Sequence, residues 1–291
     1  MKSAFDLKLG MSGDELAELA KSKGLNRTKS TGETFTPSEI VRFMIKESTQ
    51  RLKDNESGLG GIKAKILEPS CGNGQFLTNI LAYKWDSAYK HILSDRFLCQ
   101  SICNIQSTMF SNFGFEVRSF SIGLCYAIGR MFGIDLMNDN VKESQENCIG
   151  TMRKIWEYFM GCEIFLPLEN ELKSIFETNI VCANSLLDCV IFRVPYLTQR
   201  GIFIKEAIQV RENQFSAIPN EIIQKIKDSD NIGWVTLKKP YKIESWSEVK
   251  DLAKIYQGEE LPSEWINELL DNKKLSGESQ FKQAWSEGRL F

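Results

Sequence analysis

The chain has 291 residues, 42% of them apolar and 25% charged, with 36 Lys plus Arg against 38 Asp plus Glu. That balance excludes a collagen-like or wholly disordered polymer, and the length supplies about two average domains. The formal charge of −2 carries no global basic field, so any hold on a nucleic acid has to come from a local patch.

In chain order, residues 12–23 predict a helix, with Leu16, Leu19 and Ala20 at helical spacing and Ser12 and Glu15 placed as a capping pair. A basic, Ser- and Thr-rich connector follows over 21–31. Thr36-Pro37-Ser38 then opens a second helix, with Ile40, Val41, Met44 and Ile45 expected on one face. Residues 63–68 read as a short strand that runs into Pro69-Ser70-Cys71-Gly72-Asn73-Gly74, and 75–82 as a helix. Strand, glycine turn, helix is the first half of a βαβ unit.

Residues 85–120 have poor periodicity and read as an insertion. A second strand is expected over 131–136, a helix over 140–161, a third strand over 178–183 and a fourth apolar run over 189–192. Beyond Gly201 the sequence reads as charged and mostly helical. The fold class is α/β.

No apolar run reaches the ~18 residues that a membrane span requires. The nearest approach, 119–137, is interrupted by Arg130 and Asp135. No apolar leader follows Met1, and the eight cysteines include no C-x-x-C pair. With His91 as the one histidine, a zinc site has few ligands to draw on. Reduced thiols in a cytoplasmic protein without metal or membrane attachment are expected.

Two features carry chemistry. Gly72 and Gly74 follow a strand directly, where glycine lets the backbone take positive φ and approach a ligand, and the next helix offers its free N–H groups. Glu68 and Asp135 end successive strands. A carboxylate in Asp135's place can accept the hydroxyls of a ribose. Together they point to a nucleoside-bearing cofactor.

Three segments resemble the adenine-N6 DNA methyltransferases, in the subgroup that forms modification subunits of restriction systems. They are Thr31-Gly32-Glu33-Thr34-Phe35-Thr36-Pro37, Ile66-Leu67-Glu68-Pro69-Ser70-Cys71-Gly72-Asn73-Gly74-Gln75-Phe76-Leu77 and Gly133-Ile134-Asp135. The resemblance covers roughly residues 25–190. It implies a class I, Rossmann-like methyltransferase sheet with S-adenosylmethionine (SAM) as cofactor and DNA as substrate. By that match Thr31, Phe35 and Thr36 border the methionine end of SAM. Glu68, Ser70, Gly72 and Gly74 line the loop, Asp135 holds the ribose, and Asn184 lies beside the adenine. Each also has a plainer reading: Thr36-Pro37 as a helix start, Phe35 as a packing staple, Asn184 as a turn cap.

The resemblance implies an Asn/Asp/Ser-Pro-Pro-Tyr/Phe segment after a fourth strand, where acceptors hold the adenine amine and an aromatic stacks the flipped base. The sequence offers only Arg193-Val194-Pro195-Tyr196. Arginine has no acceptor to offer an amine, which leaves Pro195 and Tyr196 as catalytic candidates, or as an ordinary loop. Spacing points the same way. Five residues, 185–189, separate the third strand from the centre of the fourth run, where a parallel crossover takes about a dozen. Either a helix has been lost or 189–192 is not a fourth parallel strand.

Past Thr198 the charge is near zero. Lys225-Ile226-Lys227 and Lys238-Lys239-Pro240-Tyr241-Lys242 are either phosphate contacts or a solvated face, and the spaced tryptophans either core or anchors for a partner. Three regions are expected: a helical N-terminal segment at 1–60, a cofactor-binding domain at 61–200 with its insertion at about 85–120, and a mostly helical C-terminal region at 201–291. The expected function is a SAM-dependent adenine-N6 methyltransferase-like protein, impaired at its catalytic corner. The alternative is a non-catalytic SAM- or DNA-binding relative that acts as a subunit or decoy through protein contacts.

Overall fold

The computed structural model describes residues 3–24, 35–51, 62, 64–90, 110–186, 188–198, 201–209, 234–236, 241–249 and 254–256. Among these, six helices are α1 (Gly13–Lys23), α2 (Ser38–Arg51), α3 (Gln75–Ala88), α4 (Phe115–Ile128), α5 (Asn138–Met160) and α6 (Leu166–Asn179). Eight strands are β1 (Ile66–Glu68), β2 (Met131–Asp135), β3 (Ile180–Cys182), β4 (Cys189–Thr198), β5 (Gly201–Gln209), β6 (Trp234–Thr236), β7 (Tyr241–Ile243) and β8 (Lys254–Tyr256). The chain is mixed α/β, as its sequence predicts.

β1, β2 and β3 form a parallel sheet in sequence order, with Leu67 opposite Phe132 and Ile134 opposite Val181. Side chains alternate across a strand, so β2 serves two layers. Met131 joins the cluster built from α3, α4, α5 and α6. Gly133 faces the same way, where a Cβ would lie 2.9 Å from Leu77 and 3.2 Å from the Cys71 sulfur. The missing side chain is what lets α3 pack close. Phe132 and Ile134 point to the other face, against Val190, Phe192 and Val194 of β4. The rings of Phe132 and Phe192 meet there at 4.8 Å between centroids.

That second face decides between the two readings of the fourth apolar run. β4 does not extend the parallel sheet. It pairs antiparallel with β5 from Ile191–Ile208 to Thr198–Gly201, and with β8 over Cys189–Ile191. β6 and β7 add to β5. Of the two alternatives left open by the short 185–189 connection, the structure takes the second: too few residues for a crossover leave room only for a strand that turns onto the face of the sheet. The described part of 201–291 is correspondingly strand and one 3-10 turn (Trp246–Val249), not helix. The expected boundary at 200 falls between two paired strands.

Other differences are local. α1 begins with the expected box: Ser12 Oγ accepts from the Glu15 N–H while the Glu15 carboxylate accepts from the Ser12 N–H. On α2 the buried stripe is Val41 and Ile45, whereas Ile40 and Met44 are half exposed, 51% and 46%. Part of the expected insertion is regular structure, since α3 runs to Ala88 and α4 starts at Phe115. Residues 91–109 lie outside the described set. α6 had no counterpart in the sequence reading. No described helix is long and apolar enough to cross a membrane.

The antiparallel sheet is tied to the helix layer by polar contacts as well as packing. Arg130, buried ahead of β2, donates from Nη1 to the Pro195 carbonyl. Glu171 on α6 accepts from the Ser245 hydroxyl and the Trp246 N–H at 2.7 and 2.6 Å, and burial pushes its carboxyl pKa up. Trp246 is fully buried, so this tryptophan is core and not a partner anchor.

Candidate functional site

The carboxyl ends of β1 and β2 meet the glycine turn. Gly72 and Gly74 both have positive φ, +52° and +89°, the region where a Cβ costs most. They are glycine for different further reasons. A Cβ on Gly74 would fall 2.6 Å from Ser144 Oγ and 3.1 Å from Ser144 Cα, because α5 crosses there. A Cβ on Gly72 would meet only the Phe35 ring, at 3.2 Å. The Thr-Gly-Glu-x-Phe-Thr-Pro segment and the glycine turn, about forty residues apart in sequence, are therefore in contact through Phe35.

Asp135 closes the arrangement. Its Oδ2 accepts from the Gly72 N–H at 2.9 Å, and its Oδ1 accepts from the Met137 N–H at 2.9 Å and the Asn140 amide at 3.2 Å. A carboxylate has about four lone-pair sites, so three donors leave one acceptor position, on Oδ2. Asp135 is 8% exposed. Glu68, at the end of β1, is half-buried; burial raises its carboxyl pKa, opposed by the Ser70 N–H that it accepts at 3.3 Å. Ser70 itself is exposed.

The turn is braced from below. Asn147 donates to the Asn73 carbonyl at 2.9 Å, Gln75 donates to Asn73 Oδ1 at 3.3 Å, and the Met11 N–H donates to Gln75 Oε1 at 2.8 Å. α3 starts at Gly74 without a side-chain cap, and its first internal bond runs from the Thr78 N–H to the Gly74 carbonyl. The amides of the first turn therefore point out of the helix end beside Gly72. Lys23, the last residue of α1, reaches the same place: its Nζ lies 2.6 Å from both Asn140 Oδ1 and Glu143 Oε2, and 5.0 Å from the centroid of the Phe35 ring. The sequence places Lys23 at the end of the 12–23 helix and in the basic connector, and no local signal marks it further, because its hydrogen-bond partners lie over a hundred residues away.

The remaining predicted residues divide. Thr36 sits beside Phe35 and is partly buried, one residue ahead of the Pro37 carbonyl that receives the first α2 amides. Thr31 lies outside the described residues, as do the basic cluster at 225–227 and residues 238–240 of the one at 238–242, whose Lys242 pairs with Glu244. Asn184 caps a turn, as its plainer reading had it: its Oδ1 accepts from the Leu186 N–H at 3.0 Å, while its own N–H donates to Asp188 at 2.7 Å.

Pro195 and Tyr196 are neither loop nor open corner. They sit within β4, opposite Ile204 and Phe203, with Pro195 buried and Tyr196 half-buried against Phe203 at 6.2 Å between centroids. Burial pushes the Tyr196 phenol up to about 12. The strand tolerates proline because β8 pairs only Cys189–Ile191, so that side of β4 carries no described ladder at Pro195. Arg193 is fully buried and donates to the Ile191 carbonyl at 3.1 Å.

What remains at the strand ends can accept a hydroxyl (Asp135), favour a cation (Glu68) and offer helix-end amides to an anion. That donor set fits a nucleoside joined to a short amino-acid chain. Among the described residues no group of three or more His, Cys, Asp or Glu is placed to hold a metal ion. Comparison with protein-family profiles, with curated proteins and with solved structures finds no match for this chain.

Proposed function

We propose that this chain is an adenine-N6 DNA methyltransferase-like protein that binds SAM at the carboxyl ends of β1 and β2 and is impaired in methyl transfer. The observation that carries the reading is the meeting of Phe35, Gly72 and Asp135, drawn from three separate segments, at one end of a βαβαβ sheet. Such sheets take ligands outside the carboxyl ends of their strands. In this reading Asp135 holds a ribose hydroxyl through its remaining acceptor position, Glu68 attracts the ammonium group, and Phe35 covers the chain between them. When bound, SAM supplies an electrophilic methyl group.

A second reading, a non-catalytic relative working as a subunit or decoy through protein contacts, draws support from β4. Methylating an exocyclic amine calls for acceptors on its hydrogens and an aromatic face for the base. Here the Arg193 side chain is buried, and Pro195 and Tyr196 are taken up in the antiparallel sheet. In this reading the described residues of β4 offer no acceptor and no open aromatic face for an adenine.

Equilibrium dialysis with labelled SAM tests the first part. One saturable site per chain is expected, weakened at least tenfold in Asp135→Asn, which turns an acceptor oxygen into a donor. No saturable binding by the wild type, with or without DNA, refutes it. Mass spectrometry of duplex DNA incubated with protein and SAM tests the second. No N6-methyladenine is expected from the chain alone, and its formation would establish an intact enzyme.

A further inference from the structure

We propose that Lys23 is a latch that holds the candidate cofactor site shut, so that ligand entry requires its ammonium to let go. The inference rests on the reading of the Gly72–Asp135 end as the site and adds the regulation of access to it.

Lys23 ends α1, and Gly24, with φ of +92°, stops the helix there. A cation at a helix C-terminus is favoured by the helix dipole, so the position suits a lysine without any further role. Its tertiary contacts go well beyond that. The side chain is only 13% exposed, although lysine is a residue that normally stays in water. One ammonium engages the Asn140 amide oxygen, the Glu143 carboxylate and the Phe35 ring face together.

Those three are the groups that border the site. Asn140 donates to Asp135 Oδ1, Glu143 faces the Asn73 amide at 3.5 Å, and Phe35 lies on Gly72. Lys23 therefore joins the end of α1 to the first turns of α5 and to the ring over Gly72 through one charged group. Asp135, the acceptor proposed for a ribose, is 8% exposed, and Asn140 links it to the Lys23 ammonium. A ligand that carries positive charge, as a sulfonium with an ammonium does, competes with the Lys23 ammonium for the Phe35 ring face.

Opening costs two charge-assisted hydrogen bonds in a partly buried place. Removing the ammonium removes that cost. Lys23→Met keeps the length and helix propensity of the side chain, and Glu143→Gln weakens the latch from its other side. Two measurements are paired. Hydrogen exchange without ligand reads the latch itself: amides of 71–74 and 138–143 are expected to exchange about tenfold faster in both variants. Dialysis with labelled SAM reads its consequence: about tenfold tighter binding by Lys23→Met.

Unchanged exchange in both variants overturns the latch whatever the binding result. Weaker SAM binding by Lys23→Met also overturns it, since Lys23 would then belong to the binding surface. If exchange rises in both variants while neither they nor the wild type bind SAM, the latch stands and the SAM reading falls.

Discussion

Gly74→Ala isolates the physics of the glycine turn from any question of ligand. Two costs add at this position. At φ of +89° a residue with a Cβ loses about 1–2 kcal/mol in the left-handed region. The new Cβ also falls 2.6 Å from Ser144 Oγ and 3.1 Å from Ser144 Cα, and overpacking of a buried helix contact costs about 1–3 kcal/mol. The sum is about 2–5 kcal/mol, a large part of the stability of an ordinary domain.

Gly72→Ala is the internal control. It meets the same backbone cost, but its Cβ touches only the edge of the half-buried Phe35 ring at 3.2 Å, which can shift. It should cost about 1–2 kcal/mol. Urea unfolding followed by tryptophan fluorescence measures both, with equal m-values required for the comparison. Ser144→Ala in the Gly74→Ala background removes the 2.6 Å contact and leaves the backbone cost. It should recover about 1 kcal/mol, as a non-additive pair in direct contact does. A Gly74→Ala loss no larger than that of Gly72→Ala, or a strictly additive double mutant, refutes the argument that α5 is what demands glycine at 74.

Two further outcomes test how the sheets are joined. Arg130→Met leaves the Pro195 carbonyl without the guanidinium it accepts from and should destabilise by about 1–3 kcal/mol in the same urea assay; no loss would mean that packing alone joins β2 to β4. Tyr196, with its phenol pushed up to about 12 by burial, favours the neutral form when folded. Its contribution is therefore full below pH 10, the usual phenol value, and fades as pH rises from 10 towards 12. Tyr196→Phe should unfold less steeply over that window than the wild type, and identical alkaline profiles would place the phenol in water.

The candidate site of this protein was largely legible in its sequence because its signals are local. Glycines at 72 and 74, an acid at the end of each of two strands, and a Ser12–Glu15 box are choices that neighbouring backbone atoms dictate. Helix and strand periods placed β1, β2, β3, α1 and α5 for the same reason. Local pattern could not tell which stripe of α2 is buried, since Ile40 and Val41 are equally apolar and only their neighbours differ.

It could not place β4 either. An apolar run that ends in Val-Pro-Tyr suits a fourth parallel strand and an antiparallel edge alike, and the choice depends on partners from 201–209 and 254–256, whose pairing is a long-range event. The same holds for Lys23, whose charge reads as solvated until α5 is brought beneath it. The sequence by itself determined the turn, the acids and the α/β class, because φ angles and periodicity are properties of short segments. Tertiary structure alone decided that Pro195 and Tyr196 are taken up in the antiparallel sheet and that Lys23 pairs with Asn140 and Glu143, because strand and charge pairing belong to residues far apart in the chain.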